Sequence, residues 1–125
     1  MIDADDISRI VETLPEANRS GSSFEVNRRG FAWFYQEKVE GRRGRIEHPD
    51  VLAVRVADLT EKEILIAMDP EKFFTDAHYK GYPAVLVRLA TIDTDDLTDL
   101  LSNAWRTRAP RRLVAEFDAR ANASA

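Results

Sequence analysis

Residues 24–38 read Phe24-Glu25-Val26-Asn27-Arg28-Arg29-Gly30-Phe31-Ala32-Trp33-Phe34-Tyr35-Gln36-Glu37-Lys38. Phe24 and Val26 alternate with Glu25 and Asn27, the two-residue period of a half-buried strand. Gly30 can take the positive φ of a tight turn, so the aromatic run from Phe31 to Lys38 predicts the returning strand of a β-hairpin with Arg28 and Arg29 at its tip. Strands joined by so short a connection pair antiparallel.

On the N-terminal side, Asn18 to Ser23 is small and polar and reads as a loop. Before it, Ile7, Ile10, Val11 and Leu14 recur at helical spacing, so residues 3–14 predict a helix, capped by Asp3 with Asp6 in the first turn and stopped by Pro15. On the C-terminal side a second arginine-bearing turn, Gly41-Arg42-Arg43-Gly44-Arg45, leads through His48-Pro49-Asp50 to a third strand, Val51 to Ala57. There Leu52, Val54 and Val56 share one face and Arg55 points away. Thr60-Glu61-Lys62-Glu63 has the form of a capping box and predicts a short helix carrying Ile64, Ala67 and Met68. Asp69-Pro70 predicts another helical turn that carries Phe73 and Phe74 toward the core. Alternation returns in a fourth strand, Ala84 to Leu89. Asp93 to Trp105 predicts the clearest helix, with Leu97, Leu100, Leu101, Ala104 and Trp105 in one stripe and aspartates where the macrodipole favours them. Pro110 opens a last helix through Phe117.

The order is therefore α-β-β-β-α-β-α-α. It predicts an α+β fold: a mostly antiparallel sheet of four strands, with room for a fifth, and helices packed on one face in a two-layer sandwich. Residues 1–118 form one domain, and the alanine-rich tail, 119–125, is expected to fray.

Composition narrows the chemistry. The 125 residues include 44% hydrophobic and 32% charged, enough to build one core and stay in solution. With no cysteine, disulfides, thiolate metal sites and cysteine nucleophiles are excluded. The start, Met1-Ile2-Asp3-Ala4-Asp5-Asp6, lacks the basic and apolar regions of a signal peptide, and no apolar run is long enough to span a bilayer. The expectation is a cytoplasmic protein without a membrane contact.

Net charge is −4, unevenly spread. From Arg28 to Arg45 six basic residues (Arg28, Arg29, Lys38, Arg42, Arg43, Arg45) face Glu37 and Glu40, a local +4. Arg106, Arg108, Arg111 and Arg112 make a second +4 around Pro110, which leaves −12 on the rest of the chain. Guanidinium forks match phosphate oxygens, and Lys80 lies between Tyr79 and Tyr82, so these residues are the candidates for anion or nucleic-acid contact.

The run Phe73-Phe74-Thr75-Asp76-Ala77-His78-Tyr79-Lys80-Gly81-Tyr82-Pro83-Ala84-Val85-Leu86-Val87, followed by the Asp-Leu-x-Asp-Leu-Leu helix, Ala104-Trp105 and Ala109-Pro110, resembles the MmcQ/YjbR-like family. The resemblance covers nearly the whole chain. It implies a CyaY-like (frataxin-like) sandwich with a double-wing DNA-binding arrangement, and no established catalytic residues. Better-known members carry a tryptophan where Tyr82-Pro83 stands here.

Other chemistry finds little support. Asp3, Asp5, Asp6 and Glu12 suit a helix N-terminus as well as a metal, and His48 stands in a proline turn. His78 lies in no catalytic context, the serines sit in no nucleophile elbow, and the five glycines form no phosphate loop. The aromatic run Phe31, Trp33, Tyr35, opposite Phe34, reads as core and sheet-face packing. If exposed, it would mark a partner surface. The expectation is a non-enzymatic binding module without cofactor or metal, a monomer or weak homodimer. Its arginine turns would hold duplex DNA or another polyanion, with a protein-interaction adaptor as the alternative and a frataxin-like metal-binding protein as a weaker one.

Overall fold

A computed structural model describes residues 1–38, 40–41 and 43–123. Its elements are α1 (Ala4–Glu12), β1 (Ala17–Ser20), β2 (Ser23–Val26), β3 (Arg29–Lys38), β4 (Arg45–Arg55), α2 (Leu59–Met68), β5 (Phe73–Phe74), β6 (Ala84–Arg88), α3 (Thr94–Arg108) and α4 (Arg111–Ala123). One antiparallel sheet runs in the order β1-β2-β3-β4-β6-β5.

The sheet has six strands, more than the four or five expected. β1 is the polar stretch that reads as a loop. Only Ala17 is even partly covered, and register with β2 makes the segment a strand. The single helical turn expected at Asp69-Pro70 is present, with the Lys72 and Phe73 amides donating to the Asp69 carbonyl at 3.1 and 2.9 Å, and β5 follows it as an addition: Phe73 pairs with Val87 and Phe74 with Leu86, which satisfies their backbone in the sheet.

α1 begins as its sequence dictates: the Asp6 amide donates to Asp3 Oδ1 at 2.9 Å and the Asp3 amide to Asp6 Oδ2 at 3.0 Å. Ile7, Ile10 and Val11 are buried. They join Leu97, Leu101, Ala104 and Trp105 of α3 and Leu52, Val54, Val85 and Val87 of the sheet in the main core. The Trp105 indole N–H, deep in this layer, donates to the Pro15 carbonyl at 3.1 Å and ties α3 to the end of α1. α2 starts two residues before the Thr60 box, with Asp58 as its cap. Ile64, Ala67 and Met68 face solvent, while Leu65 and Ile66 pack on the core. α4 continues past Phe117 to Ala123, since an alanine-rich segment is a good helix former.

Two bulges set the sheet's second face. Between the pairs Phe24↔Ala32 and Glu25↔Gly30 the register slips by one, so Phe31 and Ala32 both turn into the core. Phe31 thus parts from Trp33 and Tyr35, which share the opposite face with Ala53, Leu86 and Phe74. Between Phe34↔Leu52 and Tyr35↔His48 a larger slip lets β4 bend at Pro49, which has no amide to donate.

Candidate functional site

The face of the sheet opposite the helices carries the features that packing does not use up. The segment joining β5 to β6, residues 75–83, folds over part of this face. Tyr79 inserts its ring, and its hydroxyl accepts the Trp33 indole N–H at 2.8 Å. The Tyr35 hydroxyl donates to Asp76, whose other oxygen accepts the Tyr79 amide at 3.0 Å. Beneath them the Lys62 ammonium of α2, almost wholly buried, donates to the carbonyls of Tyr79 at 2.5 Å and Tyr82 at 2.9 Å.

Protonation follows from these bonds. Desolvation pushes the Asp76 carboxyl up, but hydrogen bonds from Tyr35 and the backbone of Tyr79 and His78, with the nearby His78 ring, hold it below the usual carboxylate range. The same bond to Asp76, then burial, raises the Tyr35 hydroxyl to about 12. Burial pushes Lys62 down, with Asp76 opposing.

A concavity of about 450 Å³ opens beside Tyr79, lined by Trp33, Arg45, His78, Tyr79 and Tyr82. Another of about 400 Å³ adjoins it and shares Arg45 and His78. Nearby, the Glu37 carboxylate is held by the His48 ring at 2.8 Å, and His48 packs on Tyr35.

The first concavity runs toward one end of the sheet through Tyr82. Its hydroxyl accepts from Arg55 Nη1 at 2.9 Å, and the Arg55 guanidinium sits 5.4 Å from the ring centroid. At this end β3 starts, β4 finishes, β6 starts opposite Arg55, and α3 finishes. Arg29, Arg55 and Arg108 therefore converge. Burial holds the Arg108 guanidinium below its ordinary pKa, and repulsion from Arg55 and Arg29 adds to it. Arg108 Nε is buried without a hydrogen-bond partner, and none of the three arginines forms an ion pair with a carboxylate of the described residues.

The other candidates divide. Arg28 is exposed beside Arg29 in the β2–β3 turn, where φ is positive at Asn27 (51°) and Arg28 (62°) and not at Gly30, the glycine expected to take it. Arg43 and Arg45 are exposed at the far end of β3, so the two arginine turns lie at opposite ends of that strand rather than side by side; Arg42 lies outside the described residues. Lys80 is exposed on the covering segment. Arg106 pairs with Asp118 at 2.7 Å and stacks on Phe117, and Arg112 reaches Glu16 at 3.4 Å, so both brace the fold. Arg111 is exposed at the start of α4. Asp3 and Asp6 serve as caps. Among the described residues no group of three or more histidine, aspartate or glutamate side chains is placed to hold a metal ion. None of the described helices is long and apolar enough to cross a membrane.

Sequence reasoning missed two participants. Strand alternation places Arg55 only as pointing away from the core, and Lys62 falls within the capping box. Arg55 alternates with Val51 and Ala53, and Lys62 stands three and four residues before Leu65 and Ile66, so each is a cation on an otherwise apolar side of its element, which is the available signal.

The family model described as YjbR matches residues 8–107. The chain belongs to the YjbR family. Uncharacterized proteins of Mycobacterium bovis and Mycobacterium tuberculosis are each 42% identical over 120 residues, covering 90% of this chain and 93% of theirs. The crystal structure of a Deinococcus radiodurans protein with a DUF419 domain aligns with a TM-score of 0.53 at 18% identity, covering 84% of this chain and 77% of that one. At that identity the likeness concerns the fold. This YjbR chain keeps the α+β sheet-and-helix architecture, and the site above is read from its own residues.

Proposed function

We propose that this YjbR-family chain is a non-enzymatic nucleic-acid-binding module that seats phosphates on the arginines at the Arg29–Arg55–Arg108 end of its sheet. The observation that carries this reading is the convergence of three guanidiniums without a carboxylate partner, one with a half-buried side chain and an unsatisfied Nε. Gathering like charges costs stability, and a phosphate oxyanion reverses that cost with charge-assisted hydrogen bonds. Arg28 supports it as well: a non-glycine residue in left-handed backbone is costly and tends to be kept for a role. The phosphate seat thus narrows from both arginine segments to Arg29 and Arg108, with Arg55 added to them.

Fluorescence anisotropy with labelled oligonucleotides, single-stranded and duplex, across a salt series tests it. Binding should weaken steeply with salt, and Arg55→Ala or Arg108→Ala should each lower the log–log slope by about one, while Arg43→Ala at the opposite end has a smaller effect. Absence of salt-dependent binding to either form at low ionic strength would end the reading.

A protein-interaction adaptor is the rival. Its own observation is α2, which leaves Leu59, Ile64 and Met68 exposed, Met68 at 76%. Capture of a protein partner that survives nuclease and is lost with Ile64→Glu would favour it.

A further inference from the structure

We infer that the concavity between Trp33, His78, Tyr79 and Tyr82 is a nucleobase seat, so that the nucleic acid held by this domain is single-stranded. The inference rests on the nucleic-acid reading above and names the strand form that the site selects.

The lining carries the argument. Four aromatic rings and the Arg45 guanidinium surround a space of about 450 Å³, with no carboxylate and no aliphatic side chain among them. Such a wall suits a flat, apolar ring attached to an anion. Bases of single strands are recognised by stacking on aromatic side chains while basic residues follow the backbone. In a duplex the base faces are already covered by their neighbours, so a seat of this kind has nothing to accept.

The rings brace one another edge to face, a favourable arrangement in which no two of these faces are stacked together. Trp33 and Tyr82 meet at 70°, Tyr79 and Tyr82 at 75°, and His78 and Tyr79 at 81°, edge to face rather than stacked. Trp33 is partly exposed, His78 is exposed and Tyr82 keeps 41% of its surface, so ring surface remains for a planar ligand. The seat is also held ready. Trp33 is pinned by its bond to Tyr79, Tyr79 by Asp76 and Lys62, and Tyr82 by Arg55 and Lys62, which lowers the ordering cost of binding.

Charge completes the track. Arg55 and Arg108 lie beyond Tyr82 at one end and Arg45 at the other, so a backbone crossing the seat meets guanidiniums on both sides. Two acids, Glu37 and Asp76, line the adjoining concavity with Arg45 and His78, and both are engaged: Asp76 accepts from Tyr35 and Tyr79, and Glu37 from His48.

The experiment compares a deoxythymidine oligomer, a duplex of equal length and inorganic polyphosphate, read by tryptophan fluorescence and anisotropy or competition. Trp105 is fully buried, so quenching on binding reports Trp33. The single strand should bind at least tenfold more tightly than the duplex or polyphosphate and quench fluorescence, with quenching absent in Trp33→Phe. His78→Ala, at an exposed position and with folding checked by circular dichroism, should weaken the single strand about threefold or more while polyphosphate binding changes less than twofold. Equal affinity for duplex, polyphosphate and single strand, without quenching, would overturn the base seat and leave the phosphate reading standing. No binding of any of the three would overturn both.

Discussion

Lys62 sets an ammonium against two backbone carbonyls in a place where almost no water reaches it. Hydrogen bonds from charged donors are worth roughly 1.5–3 kcal/mol, and leaving their acceptors unpaired adds a desolvation cost. Lys62→Met keeps the length and apolar stem of the side chain, so its effect isolates the ammonium. It should destabilise the protein by about 2 kcal/mol in urea unfolding and speed amide exchange in residues 76–82; a loss below a few tenths would show that the covering segment holds itself. Tyr35 offers a pH test. The folded state keeps its hydroxyl protonated up to about 12, against 10.0 for the ordinary group. The stability it contributes is therefore full below about pH 10 and is lost as pH rises through about 12. Burial also raises the Tyr79 hydroxyl, so tyrosinate absorbance should show two late-titrating groups, of which Tyr35→Phe removes one, with a smaller alkaline loss of stability in that variant.

At the scale of elements, the β2–β3 hairpin turns on two residues, Asn27 and Arg28, both at positive φ. This geometry matches the right-handed twist of the strands it joins but charges a side-chain-bearing residue about 1–2 kcal/mol. Asparagine tolerates it better than most, and arginine does not. Arg28→Gly should raise stability by about 0.5–1 kcal/mol, after allowing for the greater freedom of glycine in the unfolded chain, and should lower nucleic-acid affinity by removing a cation beside Arg29. A stability loss in thermal unfolding would mean that Arg28 makes interactions worth more than its strain. Secondary structure was legible where burial is periodic: α1, the core half of β4, β6 and α3 fall where their apolar spacing puts them. β1 was not, because an exposed polar edge strand exists only by pairing, and β5 was not, because two residues carry no period.

The whole molecule carries −4, and much of its acid lies on the far layer, as with Asp95 and Asp99 on the exposed side of α3. These charges oppose any approaching polyanion at a distance without touching it. Asp95→Asn with Asp99→Asn should raise affinity for a single-stranded oligomer less than tenfold at about 0.01 M salt, where the screening length is about 30 Å. The gain should vanish near 0.15 M, where it is about 8 Å. An equal gain at both concentrations would place those aspartates inside the contact rather than behind it. The same partition describes what was determined at each level. The sequence by itself determined the α+β class, the main helices, the core-facing residues of β4, β6 and α3, and the two arginine-rich segments, because burial periodicity, capping and charge are local properties of the chain. Only the tertiary structure decided which arginines meet. β3 keeps its two arginine turns apart while strand register and the end of α3 bring Arg29, Arg55 and Arg108 together; a one-residue bulge sends Phe31 inward and leaves Trp33 at the surface. Distances between segments far apart in the chain depend on how the strands pair, and no local pattern encodes them.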